Sequence, residues 1–224
     1  MEGIVAFGAR PAREVKTGGD CWVRTSKVAH RVRPDHDRSH PVHVTLRVRR
    51  DVPRLRKGRV YAALRCAFRG GRDRFGFRLI HYSVQADHLH LLCEAEDRRA
   101  LSRGMQGLAI RMAKRINRTM ARRGSVFADR YRARDLTTPT DTSQALRQVL
   151  LHPLRLGLRP YGPDPYSSGP SFDGWQHVVR DMHAFASFDP STVVRPRSWL
   201  LVIGWRWADA MAHPPTAPPL RMAA

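Results

Sequence analysis

Between Phe77 and Cys93 two strand-like runs are separated by only a turn, and this hairpin restricts the fold more than any other feature of the chain. Phe77 to Val84 and Asp87 to Cys93 are apolar enough to be buried and too short to be helices, and Gln85-Ala86 is left to turn between them. Side chains alternate across a strand. His88 and His90 therefore leave on one face of the second run, and Leu89 and Leu91 on the other. Two imidazoles close together on a rigid strand form a natural pair of metal ligands. A His-x-His triplet by itself is unspecific, so its meaning rests on the rest of the chain.

The flanking segments place the hairpin in a sheet. Val42, Val44, Leu46 and Val48 alternate with His43, Thr45, Arg47 and Arg49, the pattern of a half-buried strand. Pro53 is suited to a first helical turn, and Leu55, Val60, Ala63, Leu64 and Ala67 recur at helical spacing up to Gly70-Gly71. A long helix is expected from about Asp97 to Arg122, with Leu101, Met105, Leu108, Met112, Ile116 and Met120 as its apolar stripe. After Gly124, Val126-Phe127 and Arg132 to Arg134 read as a short strand or extended segment. Thr140 or Asp141 is expected to cap a last helix from Ser143 to His152, which Pro153 ends. Strand, helix, strand, strand, helix, short strand, helix is the split βαβ order. The expected fold class is α+β, a ferredoxin-like antiparallel sheet with the two long helices on one face.

Three units follow from composition. Residues 1–40 read as a poorly ordered basic leader and 41–158 as the folded domain. Residues 159–224 read as a Pro- and Trp-rich extension, irregular and basic, whose aromatic residues dock in part on the core.

Charge narrows the partners. The chain carries 40 Lys+Arg against 19 Asp+Glu, a formal net charge of +21. Lys16, Lys27, Lys57 and Lys114 are its four lysines, so 36 of the 40 basic residues are arginines. A GC-rich genome would raise the ratio of arginine to lysine but not the net charge. Arginine's planar fork suits phosphate and stacks on bases, so nucleic acid is the favoured partner over an anionic membrane. On the long helix Arg111, Lys114, Arg115, Arg118 and Arg122 form a basic stripe with no acidic residue in it. Such a stripe is unlike an ordinary ion-paired solvent face. Cys21, Cys66 and Cys93 are odd in number and lack Cys-x-x-Cys spacing, which argues against a zinc ribbon or a disulfide framework and fits a reducing cytoplasm. The N-terminus lacks the apolar core of a signal peptide. The longest apolar stretch, Trp199 to Trp205, is too short to span a bilayer, so no membrane partner is expected.

Four segments in order carry a family resemblance: His43-Val44-Thr45-Leu46-Arg47, Asp87-His88-Leu89-His90-Leu91-Leu92, Gly124 to Tyr131, and Ala145 to Pro153. Over about residues 41–158 the chain resembles the HUH-type single-tyrosine transposases, and within them the REP-associated tyrosine transposases and their domesticated relatives. Phe172-Asp173-Gly174-Trp175 and Arg195 to Leu201 look like the tail of one branch of that group. The resemblance implies that His88, His90 and a polar residue of the late helix hold a divalent cation, Mg²⁺ or Mn²⁺. It implies that a tyrosine one helical turn earlier attacks a phosphodiester of single-stranded, hairpin-associated DNA, and that a 5′-phosphotyrosine forms and a 3′-OH is freed. Such chemistry uses a cation to stabilise charge on the phosphate and a covalent intermediate to conserve the bond energy for rejoining.

The chain departs from this pattern at both helix positions. Gln148 stands where the resemblance places the tyrosine, and His152 where it places Asn or Gln. An amide cannot be a phosphoryl nucleophile, so cleavage is expected to be impaired. His152 would complete a three-histidine set that also suits Zn²⁺, or it is a helix-terminal histidine lying against the dipole. Tyr131 and Tyr82 are the substitute nucleophiles to weigh. Asp87 would bring a carboxylate to the pair or merely shape the turn, and His43 would stand behind it. Arg130 and Arg132 join the basic stripe as expected DNA contacts. A metal-dependent nuclease using water, or a regulatory binder of structured RNA or DNA, remains the alternative. Relatives in the group exist as monomers and as dimers, so a homodimer stays open.

Overall fold

The structure is a computed structural model, and it describes residues 35–151, 164–174 and 188–211, the side chains of 209–211 excepted. Five strands, β1 (Val42–Arg47), β2 (Asp73–Arg74), β3 (Phe77–Val84), β4 (His88–Ala95) and β5 (Arg132–Asp135), form one antiparallel sheet in the order β2-β3-β4-β1-β5. Without the two-residue β2 this is the ferredoxin-like arrangement read from the sequence. The hairpin sits at its centre, with β4 between β3 and β1.

Helices α1 (Gly58–Gly71) and α2 (Arg98–Thr119) cover one face, meeting Val42, Val44, Leu46, Leu79, Leu89 and Leu91 in the main core. Leu79, Leu91 and Met105 are fully buried there, and each contributes roughly 2 kcal/mol of burial. Asp97 starts α2 by accepting from the Ala100 amide at 2.6 Å, in line with the predicted boundary. Gly104 lets α2 approach β3 closely. A Cβ there would lie 2.1 Å from Phe77, too near for any other residue.

The starts of the other two helices shift from those predicted. Helix α1 begins at Gly58 rather than at Pro53, because the segment before it is held by local turns at Val52 and Lys57 and by bonds from Arg49 to Val126 and from Leu55 to Ala86. The Leu55 amide donates to the Ala86 carbonyl at 2.9 Å, and Leu55 packs into the core from a loop. Helix α3 (Pro139–Leu150) begins earlier than predicted. Thr138 caps it, accepting from the Asp141 amide at 3.0 Å, and Pro139 occupies the first turn. The sequence also gave no sign of β2, which pairs with β3 through a tight turn with positive φ at both Phe75 (54°) and Gly76 (76°).

The other sheet face is partly covered too, which the sequence did not reveal. Ala145, Leu146, Val149 and Leu150 of α3 pack on Ile80 and Leu92, joined by Leu201 and Trp205 of the extension. Trp205 opens α4 (Trp205–Met211), which follows a π-helical turn at Leu200–Gly204. The extension also lines the free edge of β3. Val84 and Leu79 bond to Tyr166 and Val194 at 2.9 and 3.0 Å, and the Ser168 amide donates to the Tyr82 carbonyl at 2.9 Å. Arg56 clamps the buried Asp164 with two bonds of 2.7 and 2.8 Å and stacks over Tyr166. Phe188 and Trp205 dock as expected of the tail aromatics, whereas Trp199 and Trp207 are exposed. Of the leader, His36 is held by Asp135 at 3.0 Å and by the Ala95 carbonyl at 3.2 Å.

Candidate metal and nucleic-acid site

Register decides which side chains share a face. In an antiparallel pair, residues directly opposite one another point the same way. His90 pairs with Thr45 of β1 and Ser83 of β3, His88 with Arg47, and His43 with both Leu92 and Arg134. His43, Thr45, Ser83, His88 and His90 therefore converge on the face away from α1 and α2, with Arg47, Arg132 and Arg134 on its β1–β5 side.

Nε2 of His88 and Nε2 of His90 lie 3.1 Å apart, with the rings at right angles. Two imidazole nitrogens that share one cation at about 2.0–2.1 Å stand about 3.0 to 3.4 Å apart, depending on the angle between them. The pair fits that requirement. Behind His88, Asp87 Oδ1 accepts from Nδ1 at 2.8 Å, and Asp87 Oδ2 takes Arg47 at 3.3 Å. Partial burial works to raise the Asp87 pKa, but the hydrogen bond and charge of His88 and then Arg47 outweigh it and hold the carboxyl below its usual range. Behind His90, His43 Nε2 lies 3.1 Å from Nδ1 and Thr45 Oγ1 3.4 Å from it. Burial, with the Arg134 guanidinium adding to it, pushes the His43 imidazole down to about 4, so His43 is neutral near pH 7. Among the described residues no third His, Cys, Asp or Glu joins the two as a metal-binding group. His152 lies outside the described residues.

Neither substitute tyrosine reaches this face. A bulge between Leu79 and His81 turns Tyr82 to the side of α1, where it packs on Phe68 with ring centroids 4.5 Å apart. Its phenol meets Tyr61 at 3.3 Å and Thr192 at 3.5 Å, and burial pushes its pKa up. Tyr131 is buried in the same α1/α2 core. Gln148 is half-buried on α3, two turns from Asp141, and Asp141 is bonded to Arg134 at the edge of the histidine face.

The basic stripe lies on the other side of the sheet. Lys114, Arg115 and Arg118 are exposed on α2, and Arg115 and Arg118 border a pocket of about 350 Å³ shared with Arg59 and Cys66 of α1. Arg111 folds back onto the Gly107 carbonyl at 3.1 Å. Arg122 is engaged in structure, bonding Asp51 and Asn117 at 2.9 Å each. Arg130 is exposed on the loop before β5. Sequence reasoning missed Arg47 and Arg134. Their alternation with the strand's apolar residues was visible, but their closeness to the histidines depends on the pairing of β1 with β4 and β5.

Residues 38–147 match the model of a family described as IS200-like transposases. A REP-associated tyrosine transposase solved bound to a REP hairpin shares 14% identity over 59% of this chain and 76% of its own, with a TM-score of 0.48. A protein of Deinococcus radiodurans R1 described as a transposase shares 19% identity over 55% of this chain and 93% of its own, with a TM-score of 0.38. No curated protein matches the chain. The family model covers the sheet, α1, α2 and most of α3, including both histidines, and through that domain the chain belongs to the IS200-like transposases.

Proposed function

We propose that the chain binds single-stranded, hairpin-associated DNA as a member of this transposase family, with strand cleavage impaired at Gln148. The observation that carries the reading is the pair of imidazole nitrogens 3.1 Å apart on β4. Each is backed by its own hydrogen-bond partner, and Arg47, Arg132 and Arg134 stand beside them. His88 and His90 would hold a divalent cation, Mn²⁺ or Mg²⁺ by family likeness and Zn²⁺ by ligand type, with His152 as the third protein ligand. When bound, such a cation supplies positive charge to a phosphate oxygen. The arginines would attract and orient the phosphodiester, and their planar forks suit its oxygens. The stripe on α2 would hold a further stretch of backbone across the sheet from the site.

Gln148 offers no ionisable oxygen. Tyr82 and Tyr131 face the opposite core, so no described tyrosine replaces the missing nucleophile on the histidine face. That placement is the reason to keep one second reading, in which water attacks and the chain is a hydrolytic nuclease. Labelled hairpin-flanked single-stranded DNA, incubated with Mn²⁺ and run on a denaturing gel, separates these. The expected result is retardation on a native gel without a covalent adduct for the wild-type chain, and an adduct with Gln148→Tyr, stronger when His152→Asn is added. Cut product without adduct would establish the nuclease. A wild-type adduct that disappears in Tyr131→Phe or Tyr82→Phe would refute the placement of the nucleophile.

A further inference from the structure

The extension carries a surface that the histidine pair and the α2 stripe leave unused. Six large hydrophobic residues are exposed among the described ones, and four of them, Trp199, Val202, Ile203 and Trp207, fall between positions 199 and 207. Such clustering marks a patch rather than scattered surface residues. Leu200, Leu201, Gly204 and Trp205 of the same segment are buried, and Leu201 and Trp205 pack with α3 on Ile80 and Leu92. The patch is therefore the outer face of a helical segment anchored through its inner face. The Trp199 ring is held in place. A Cβ at position 204 would lie 2.6 Å from its Cζ3 and 2.7 Å from its Cε3, so the ring lies against bare glycine backbone, yet it is 53% exposed. Trp207 stands beside it, with ring centroids 6.2 Å apart and planes at 62°. Buried Glu94 fixes the start of the segment, accepting from the Arg197 and Ser198 amides at 2.8 and 2.7 Å. Rings ordered before a ligand arrives lose little side-chain entropy on binding it.

Charge selects the occupant. Arg195, Arg197 and Arg206 are exposed in this segment, and residues 190–208 contain no Asp or Glu. A second copy would bring the same arginines against these, on a chain already at +21. An unpaired nucleic-acid strand is complementary on both counts, with flat base faces for the indoles and phosphates for the guanidiniums. A duplex keeps its base faces stacked inside. The position fits as well. Leu92 shares the β4 face of His88 and His90, so the segment packed on it lies on the histidine side of the sheet, opposite the α2 stripe. Resting on the proposed binding of single-stranded DNA, but on neither the metal pair nor cleavage, we infer that Trp199 and Trp207 form a base-stacking platform for the unpaired strand.

The test uses the full chain without added metal and two probes, a DNA hairpin with an unpaired thymidine tail and the same hairpin with an abasic tail of equal length. Binding is followed by anisotropy of labelled DNA. The wild-type chain is expected to prefer the thymidine tail. Trp199→Ala with Trp207→Ala should weaken binding of that probe about 10-fold or more. Affinity for the abasic probe and the salt slope should stay as in wild type, because no phosphate contact is removed. Trp199→Phe with Trp207→Phe keeps two aromatic faces. It should retain most of the affinity while losing most of the indole quenching that unlabelled thymidine-tailed DNA causes in wild type. A double alanine variant that binds the thymidine tail as tightly as wild type overturns the platform, and so does an equal loss on both probes. A wild-type dimer in sedimentation that becomes a monomer in the alanine variant, with DNA affinity unchanged, assigns the patch to a second copy instead. If the wild-type chain binds neither probe, the single-stranded DNA reading itself fails, and the platform with it.

Discussion

His81 ties the extension to the sheet, and its burial makes that tie sensitive to acid. The ring is fully enclosed, with Nδ1 3.1 Å from Ser168 Oγ and Phe172 edge-on at 5.5 Å. Ser168 Oγ also accepts from the Tyr82 amide at 2.9 Å and lies 3.4 Å from the Tyr82 carbonyl as a donor, so His81 joins a small buried network. Burial pushes the His81 imidazole down to about 4 from an ordinary 6.5. Between those values the unfolded chain binds a proton that the folded chain does not, so acid favours unfolding and stability rises with pH across that window. Working through the two titrations, the His81 contribution falls by about 2 kcal/mol between about pH 7 and about pH 4.5. His81→Phe should remove that loss. It should cost about 1 kcal/mol at neutral pH for the Ser168 bond it forfeits, and its stability should fall less steeply in acid. Urea unfolding of both chains at the two pH values measures this. Subtracting one chain from the other cancels His43, which is also pushed down to about 4 and titrates in both. A variant that loses as much stability as the wild-type chain over that interval would refute the argument, because His81 would then not be a buried neutral ring in the folded state.

Three further outcomes follow from packing and charge. Gly104→Ala should destabilise the domain by about 2 kcal/mol or more in thermal unfolding, because its Cβ would lie 2.1 Å from Phe77 and α2 must lift off β3. Asp164→Ala should cost about 3 kcal/mol by leaving Arg56 without its buried partner, and limited proteolysis should then cut within residues 164–174 first. Changing Arg115 and Arg118 together to alanine should lower affinity for hairpin-flanked single-stranded DNA and flatten its salt dependence by roughly two phosphate contacts, whereas an unchanged slope in filter binding would assign the stripe to solvent.

Strict alternation in Asp87 to Cys93 was enough to put His88 and His90 on one face and Leu89 and Leu91 on the other, because side-chain direction along a strand is a local property of the backbone. Helix α2 was legible for the same reason, from its apolar repeat and the Asp97 cap. Gln148 and its missing hydroxyl could likewise be read from residue order alone. What the sequence could not decide depends on contacts between distant segments. Tyr82 looked like a neighbour of the histidines until the bulge at Ile80 turned it into the opposite core. Helix α1 lost its first residues because Leu55 found a bonding partner 31 positions away, in Ala86. The sheet lies between the basic stripe and the histidine pair, since α2 buries its apolar stripe on the face the histidines leave. His43 became the partner of His90 only through the pairing of β1 with β4, 47 residues on in the chain. Local periodicity records which way a side chain points relative to its neighbours. Which groups meet across strands and layers is set by the packing of the whole domain, and no short window of sequence contains it.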